Sequence, residues 1–191
     1  MKLKIGVTVS GAGSLLDAMI QDGLPIGIVV ADRPCHGLEI AYKANIPIRL
    51  VDRRRYGYKA GGADFDRPGF TEHITRNLLE QGVNLVAMAG FMTIFSPWIF
   101  RHFRGRIINS HPSLLPDFKG KHAVFDALAA GVAVTGTTIH IATEQLDEGP
   151  ILAQERVPIL EGDTEATLWE RIKQVERPLY PRTIRNFSTT V

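Results

Sequence analysis

"IGVTVSGAGSLLDAMIQDGLPIGIVV", Ile5 to Val30, decides the fold. Ile5–Val9 is a continuous apolar run of strand length, and "GAGS" interrupts it. From Ser14 to Gln21 the apolar residues Leu15, Leu16, Ala18 and Met19 recur at helical spacing, and Gly23 closes the segment. Ile26–Val30 is a second apolar strand. A strand without polar alternation is buried on both faces, and a helix between two such strands makes a parallel unit.

The same alternation continues outward. A short helix is expected over Leu38–Ala44 and a third strand over "IPIRLV". Phe70–Gln81 is amphipathic, Leu85–Ala89 is a fourth strand, and Pro97 opens a helix running to Phe103. Ile107–Ser110 is a fifth strand and Ala123–Ala130 a helix. Thr137–Ala142 and Ile151–Val157 are strands, and Thr164–Phe187 is mostly helical, with breaks expected near Pro178 and Pro181. The expected fold is a single α/β domain over residues 1–191: a doubly wound, mostly parallel, Rossmann-like sheet with helices on both faces. One segment resists this reading. Asp52 to Gly69 is charged, glycine-rich and longer than an ordinary connection, so it is either a solvated loop or a lid.

Bulk properties narrow the classes. With 45% hydrophobic and 22% charged residues in a 191-residue chain, a substantial core can form and disorder is excluded. A net charge of +2 gives no argument for nucleic acid or an acidic membrane surface, yet tolerates a phosphorylated ligand. The lone Cys35 permits no internal disulfide and suits a reducing compartment. No apolar run reaches the length of a membrane span, and the expected location is cytoplasmic.

Four stretches could carry chemistry. The Gly-rich turn after the first strand can hold a phosphate on backbone N–H groups at a helix N-terminus, with Ser14 as cap or ligand. Leu16 stands where a dinucleotide fingerprint needs its third glycine, so the turn is either a single-phosphate site or a plain tight connection. In "RIINSHPSLLPDFKG", Arg106 to Gly120, Asn109 and His111 lie two apart and share a strand face. An amide donor and an imidazole at the carboxyl end of a parallel strand suit a developing oxyanion and a proton transfer. Pro112 and Pro116 stiffen the loop, where a cis X–Pro bond would fit. In "TGTTIHIATEQLDEGPIL", His140 shares a face with Thr138, and a histidine there is more often a satisfied structural one. Asp147 sits in a turn sequence and gains a role only beside His111, where a carboxylate orients an imidazole and favours its charge. Finally, "MAGFMTIFSP", Met88 to Pro97, is core or a wall for a flat, partly apolar ligand. Metal-ligand spacing and a GxSxG elbow are both absent.

"SGAGS", "AGFMTIFSP", "NSHPSLLPDFKG", "TGTTIHIATEQLDEGPIL", "VPILEGDT" and "RIKQVERPLYP" occur in this order over nearly the whole chain. Together they resemble the glycinamide ribonucleotide transformylase family of folate-dependent formyltransferases. The resemblance implies formyl transfer from 10-formyltetrahydrofolate, a co-substrate, to the amine of glycinamide ribonucleotide, without a metal. It implies Asn109, His111 and Asp147 as the catalytic trio. It puts the ribonucleotide phosphate and ribose on Gly13, Ser14, Leu15, Lys173 and Glu176. It puts the folate on Arg67, Met92, Thr93, Ile94, Phe95 and Asn109. A homodimer occurs among relatives, and the sheet edge or first-strand face could support one.

The chain departs from the family pattern in places. Leu15 replaces an Asn, so a side-chain contact is lost, and Thr93 stands where the family often has Arg or Lys, which puts a charge contact there in question. Ser110 replaces an Ile and, pointing away from the catalytic face, is expected to matter little. The loop before Arg67 is longer than usual. Two relatives with the same trio fit less well: a methionyl-tRNA formyltransferase needs a further RNA-binding domain, and a formyltetrahydrofolate deformylase an N-terminal regulatory one. A non-catalytic nucleotide-binding module is the alternative from another class.

Overall fold

The computed structural model describes residues 2–59 and 64–188. Seven strands lie among the described residues, and the chain divides into two compact units at Ile107/Ile108.

The first unit is the doubly wound part. β1 (Ile5–Val9) pairs in parallel with β2 (Ile26–Ala31), and β2 pairs with β3 (Ile48–Leu50). On its other side β1 pairs in parallel with β4 (Leu85–Met88). The helices α1 (Ser14–Gln21), α2 (His36–Lys43), α3 (Arg67–Glu80) and α4 (Pro97–His102) alternate with these strands. β1 is buried over all five residues, as its unbroken apolar run requires. Leu16 and Met19 of α1, Phe70, Ile74 and Leu78 of α3, and Ile99 of α4 are fully buried in the core. The chain leaves β1 for β2 and β3 on one side, then crosses to β4 on the other, creating a switch point at the carboxyl ends of β1 and β4.

The second unit is antiparallel. β5 (Ile107–His111) pairs with β6 (Val134–Ile141), which pairs with β7 (Ile151–Pro158). α5 (Ala123–Ala129) and α6 (Glu165–Ser188) complete it. Val124, Val157, Leu168 and Ile172 form its buried apolar cluster. At the head of α6, Asp163 accepts from both Arg171 nitrogens at 2.6 and 2.8 Å, and this pairing holds its carboxyl well below the usual carboxylate range.

Two expectations are corrected. α6 runs unbroken through Pro178 and Pro181. Each proline costs a backbone bond, but buried Leu179, Tyr180 and Ile184 and the Tyr180 hydroxyl bond to the Ile108 carbonyl, at 2.9 Å, hold the helix in place. β6 begins at Val134, before Thr137, because its pairing with β7 starts at Val134 opposite Pro158. Within the Asp52–Gly69 segment, a 3-10 turn spans Arg53–Tyr56 and α3 begins at Arg67, its Asp66 cap accepting from the Gly69 N–H. Residues 60–63 of that segment lie outside the described residues.

Candidate active site

β5 and β6 position the polar centre of the second unit. Their register sets Asn109 opposite His140 and His111 opposite Thr138. Alternation along β5 therefore sends Asn109 and His111 to one face, with His140 beside the amide. His111 is 5% exposed, and its Nε2 lies 2.8 Å from the Phe118 carbonyl oxygen. A carbonyl only accepts, so Nε2 carries a proton. Nδ1 of the same ring lies 3.4 Å from Asp147 Oδ2. Both ring nitrogens thus face acceptors, which fix the orientation of the ring.

Asp147 is brought there by a tight turn. Its φ is 56°, a left-handed conformation that Asp tolerates better than most residues, and the side chain is 7% exposed. The Gly120 N–H donates to Asp147 Oδ2 at 2.9 Å, so the loop after His111 also holds the carboxylate. Gly149 completes the turn: a Cβ there would collide with the Ile141 carbonyl oxygen. The loop between Pro112 and Pro116 is anchored through Thr138. Its hydroxyl donates to the Ser113 carbonyl at 2.6 Å and accepts from Leu115 N–H at 3.0 Å and Gln154 Nε2 at 2.8 Å. The Leu115–Pro116 bond is cis, as the loop's composition allowed. A cleft of about 340 Å³ opens beside Asp147, walled by Leu115, Pro116, Lys119, Glu148, Gly149 and Ile151.

His140 is a fourth member that sequence reasoning left as structural. It is 1% exposed, and Nδ1 lies 3.1 Å from the Ile141 carbonyl, to which it donates. Nε2 is then free to accept from Asn109 Nδ2, 3.3 Å away. Burial pushes this imidazole below its ordinary pKa, so it stays neutral. A neutral Nε2 acceptor fixes which end of the Asn109 amide is the donor end, and one amide hydrogen remains free. His140 Nε2 also lies 3.7 Å from Asp147 Oδ1.

Lys173 and Glu176, one turn apart on α6, meet different partners. Lys173 Nζ pairs with Glu170 Oε2 at 2.6 Å. Glu176 is 9% exposed, its carboxyl pushed up by burial, and it accepts from the Ser110 hydroxyl. Ser110, expected to matter little, points away from His111 and onto this buried carboxylate.

The first unit holds the remaining expected residues. Gly13 precedes α1 with φ 77°, and a Cβ on it would lie 2.8 Å from Gly37 Cα, so only glycine fits. Gly13 itself is the helix cap and Ser14 opens the helix, so of the two roles open to Ser14 it does not take that of cap. Leu15 is 5% exposed, so its side chain is core. What the turn offers is the backbone N–H groups of the first helical turn, which have no partner within the helix. After β4, the Met92 N–H donates to Ser10 Oγ at 2.9 Å and links this segment to the Gly-rich turn. Met92 and Ile94 are half exposed, whereas Phe95 stacks on Phe91 at 4.9 Å and is buried. Thr93 is buried too: its hydroxyl donates to Asp32 at 2.6 Å and accepts from Arg53 at 2.9 Å. The position that lost a cation thus has one beside it from another segment. Arg67 stands exposed at the start of α3.

The polar centre of the second unit can stabilise a developing oxyanion and a nearby positive charge. Ser110, His140, Asp32 and Arg53 were not identified because strand register and cross-segment bonds have no local signature.

Residues 3–184 match the family described as Formyl transferase. The chain is 40% identical over 194 residues to the phosphoribosylglycinamide formyltransferase of Mycobacterium tuberculosis (strain ATCC 25618 / H37Rv), a match covering 97% of this chain and 85% of that protein. It is 39% identical over 191 residues to the trifunctional purine biosynthetic protein adenosine-3 of Gallus gallus, covering 96% of this chain and 18% of that longer protein. Among solved structures, glycinamide ribonucleotide transformylase 1 from Symbiobacterium toebii is similar with a TM-score of 0.90 at 38% identity, over 98% of this chain and 88% of that one.

Proposed function

Because this chain belongs to the formyl transferase family, we infer that it is a phosphoribosylglycinamide formyltransferase, transferring a formyl group to the amine of glycinamide ribonucleotide in de novo purine biosynthesis. The formyl donor in this reading is 10-formyltetrahydrofolate. The whole of residues 1–191 acts as one formyltransferase domain, in the cytoplasm. Among the described residues no helix is long and apolar enough to cross a membrane.

The observation that carries the mechanism is the cluster of Asn109, His111 and Asp147. The substrate amine attacks the formyl carbon, the carbonyl electron pair moves to oxygen, and a tetrahedral oxyanion forms. Asn109 donates its free amide hydrogen to that oxygen, while His140 holds the other. His111 is anchored through Nε2 to the Phe118 carbonyl at 2.8 Å, whereas Nδ1 is held loosely at 3.4 Å from Asp147. The Nδ1–H is therefore the donor to the oxyanion in this reading, and Asp147 orients the ring. Collapse of the intermediate breaks the carbon–N10 bond. The amine's proton goes to N10 by way of His111 or a water.

Gly13, Ser14 and Leu15 hold the phosphate through backbone N–H groups, and Lys173 and Glu176 meet the sugar-phosphate. The half-exposed Met92 and Ile94 suit the apolar face of a pterin, and Asn109 meets the formyl end. Thr93 and Phe95 contribute backbone groups, since their side chains are buried, and Arg67 supplies charge to the acidic tail of the folate. No metal takes part.

The test is an assay of tetrahydrofolate release from 10-formyltetrahydrofolate. Release that depends on added glycinamide ribonucleotide is expected. Release without the amine would mean a deformylase, and no release with any acceptor would mean a binding module.

A further inference from the structure

The strand that carries Asn109 and His111 also has a polar group on its other face. Ser110 lies between them, and alternation directs its side chain to the opposite side. There its hydroxyl donates to Glu176 Oε1 on α6. One turn further along α6, the Tyr180 hydroxyl donates to the Ile108 carbonyl at 2.9 Å. Two polar side chains of one helix thus seat on the same strand. The cations nearest Glu176 are engaged with another acid: Lys173 pairs with Glu170 at 2.6 Å and Arg177 with Glu170 at 3.0 Å. They stabilise the Glu176 charge from a distance, and Ser110 supplies the hydrogen bond.

We propose that Ser110 is a positioning residue for the amine substrate, holding one oxygen of Glu176 so that the other is presented to the sugar hydroxyls of the ribonucleotide. The proposal rests on the reading above that Glu176 meets the ribonucleotide. A carboxylate fixed through one oxygen has lost its rotational freedom before the ligand arrives, so less entropy is lost on binding. The arrangement also references sugar and amine to one element, since Asn109 and His111 flank the serine. An isoleucine at this position has no donor, leaving a buried carboxylate without this bond.

Steady-state kinetics with both substrates, and calorimetric binding of the ribonucleotide alone, would test this on the wild type, Ser110→Ala, Ser110→Thr and Glu176→Gln. In Ser110→Ala, KM and Kd for the ribonucleotide should rise about tenfold, with kcat and the KM for 10-formyltetrahydrofolate within about twofold of wild type. Ser110→Thr, which keeps the hydroxyl, should restore most of the loss. An unchanged ribonucleotide KM in Ser110→Ala, an equal rise for both substrates, or a threonine variant as impaired as the alanine one would each overturn the proposal. If Glu176→Gln is impaired while Ser110→Ala is not, the serine's role alone fails. If Glu176→Gln binds the ribonucleotide normally, the placement of Glu176 fails and the proposal with it. An inactive wild type would remove the functional reading underneath both.

Discussion

At the scale of single residues, His111 and His140 show how one side chain type takes two roles within one cluster. His111 lies between a carbonyl and a carboxylate, both acceptors, and they orient its ring. In the proposed mechanism, replacing it with Ala removes an oxyanion donor and a proton carrier together. His111→Ala should lower kcat by about a thousandfold with little change in either KM, measured by steady-state turnover. A kcat within tenfold of wild type would remove His111 from the chemistry. His140 is the opposite case, buried and neutral with one nitrogen donating and the other accepting. Its folded pKa lies below the ordinary value of 6.5 because burial disfavours the charge. As pH falls, the unfolded chain takes up this proton first. The group's contribution to stability is therefore whole above about pH 6.5 and is lost as pH falls toward the folded value. His140→Gln should flatten the pH dependence of unfolding free energy between about pH 7 and pH 5. Parallel slopes for variant and wild type, from denaturant titrations across that range, would contradict it.

At the scale of elements, the polar end of β5 depends on the loop that follows it, and that loop depends on β6. Thr138 is opposite His111 in the register, and its hydroxyl satisfies both Ser113 and Leu115. Thr138→Val keeps the shape and removes the hydroxyl, leaving buried loop groups unpaired. A loss of about 1–3 kcal/mol in chemical denaturation is expected, together with a lower kcat as His111 loses its support. A variant as stable and as active as wild type would show that the loop is held by other means. The turn before α1 makes a similar demand on the backbone. Gly13→Ala places a Cβ against Gly37 in a left-handed conformation, at a cost of about 1–2 kcal/mol from the conformation alone. The ribonucleotide KM should rise with it, since the helix's free N–H groups move with the turn. An unchanged KM would take the phosphate off this turn.

At the scale of the whole molecule, any ligand that binds only the folded chain stabilises it. Glycinamide ribonucleotide at a hundred times its Kd should add about 2.7 kcal/mol to the unfolding free energy, seen as a raised Tm, while inorganic phosphate at the same concentration adds little. A Tm unmoved by the ribonucleotide would contradict the proposed substrate. Much at this scale was determined by sequence alone. The continuous apolar strands Ile5–Val9 and Ile26–Val30, with a helical repeat between them, have one economical burial, a parallel unit covered on both faces. Asn109 and His111 share a face because the strand period is two, a purely local rule. The expected breaks at Pro178 and Pro181 failed because local propensity was outweighed by buried Leu179, Tyr180 and Ile184, which local rules cannot weigh. Tertiary structure decided what depends on pairing between distant segments. It set His140 against Asn109, Asp147 within 3.4 Å of His111, and Ser110 onto Glu176. Each of these is a matter of strand register or helix docking. Such contacts arise only after the chain has closed long loops, and no short stretch of residues encodes them by itself.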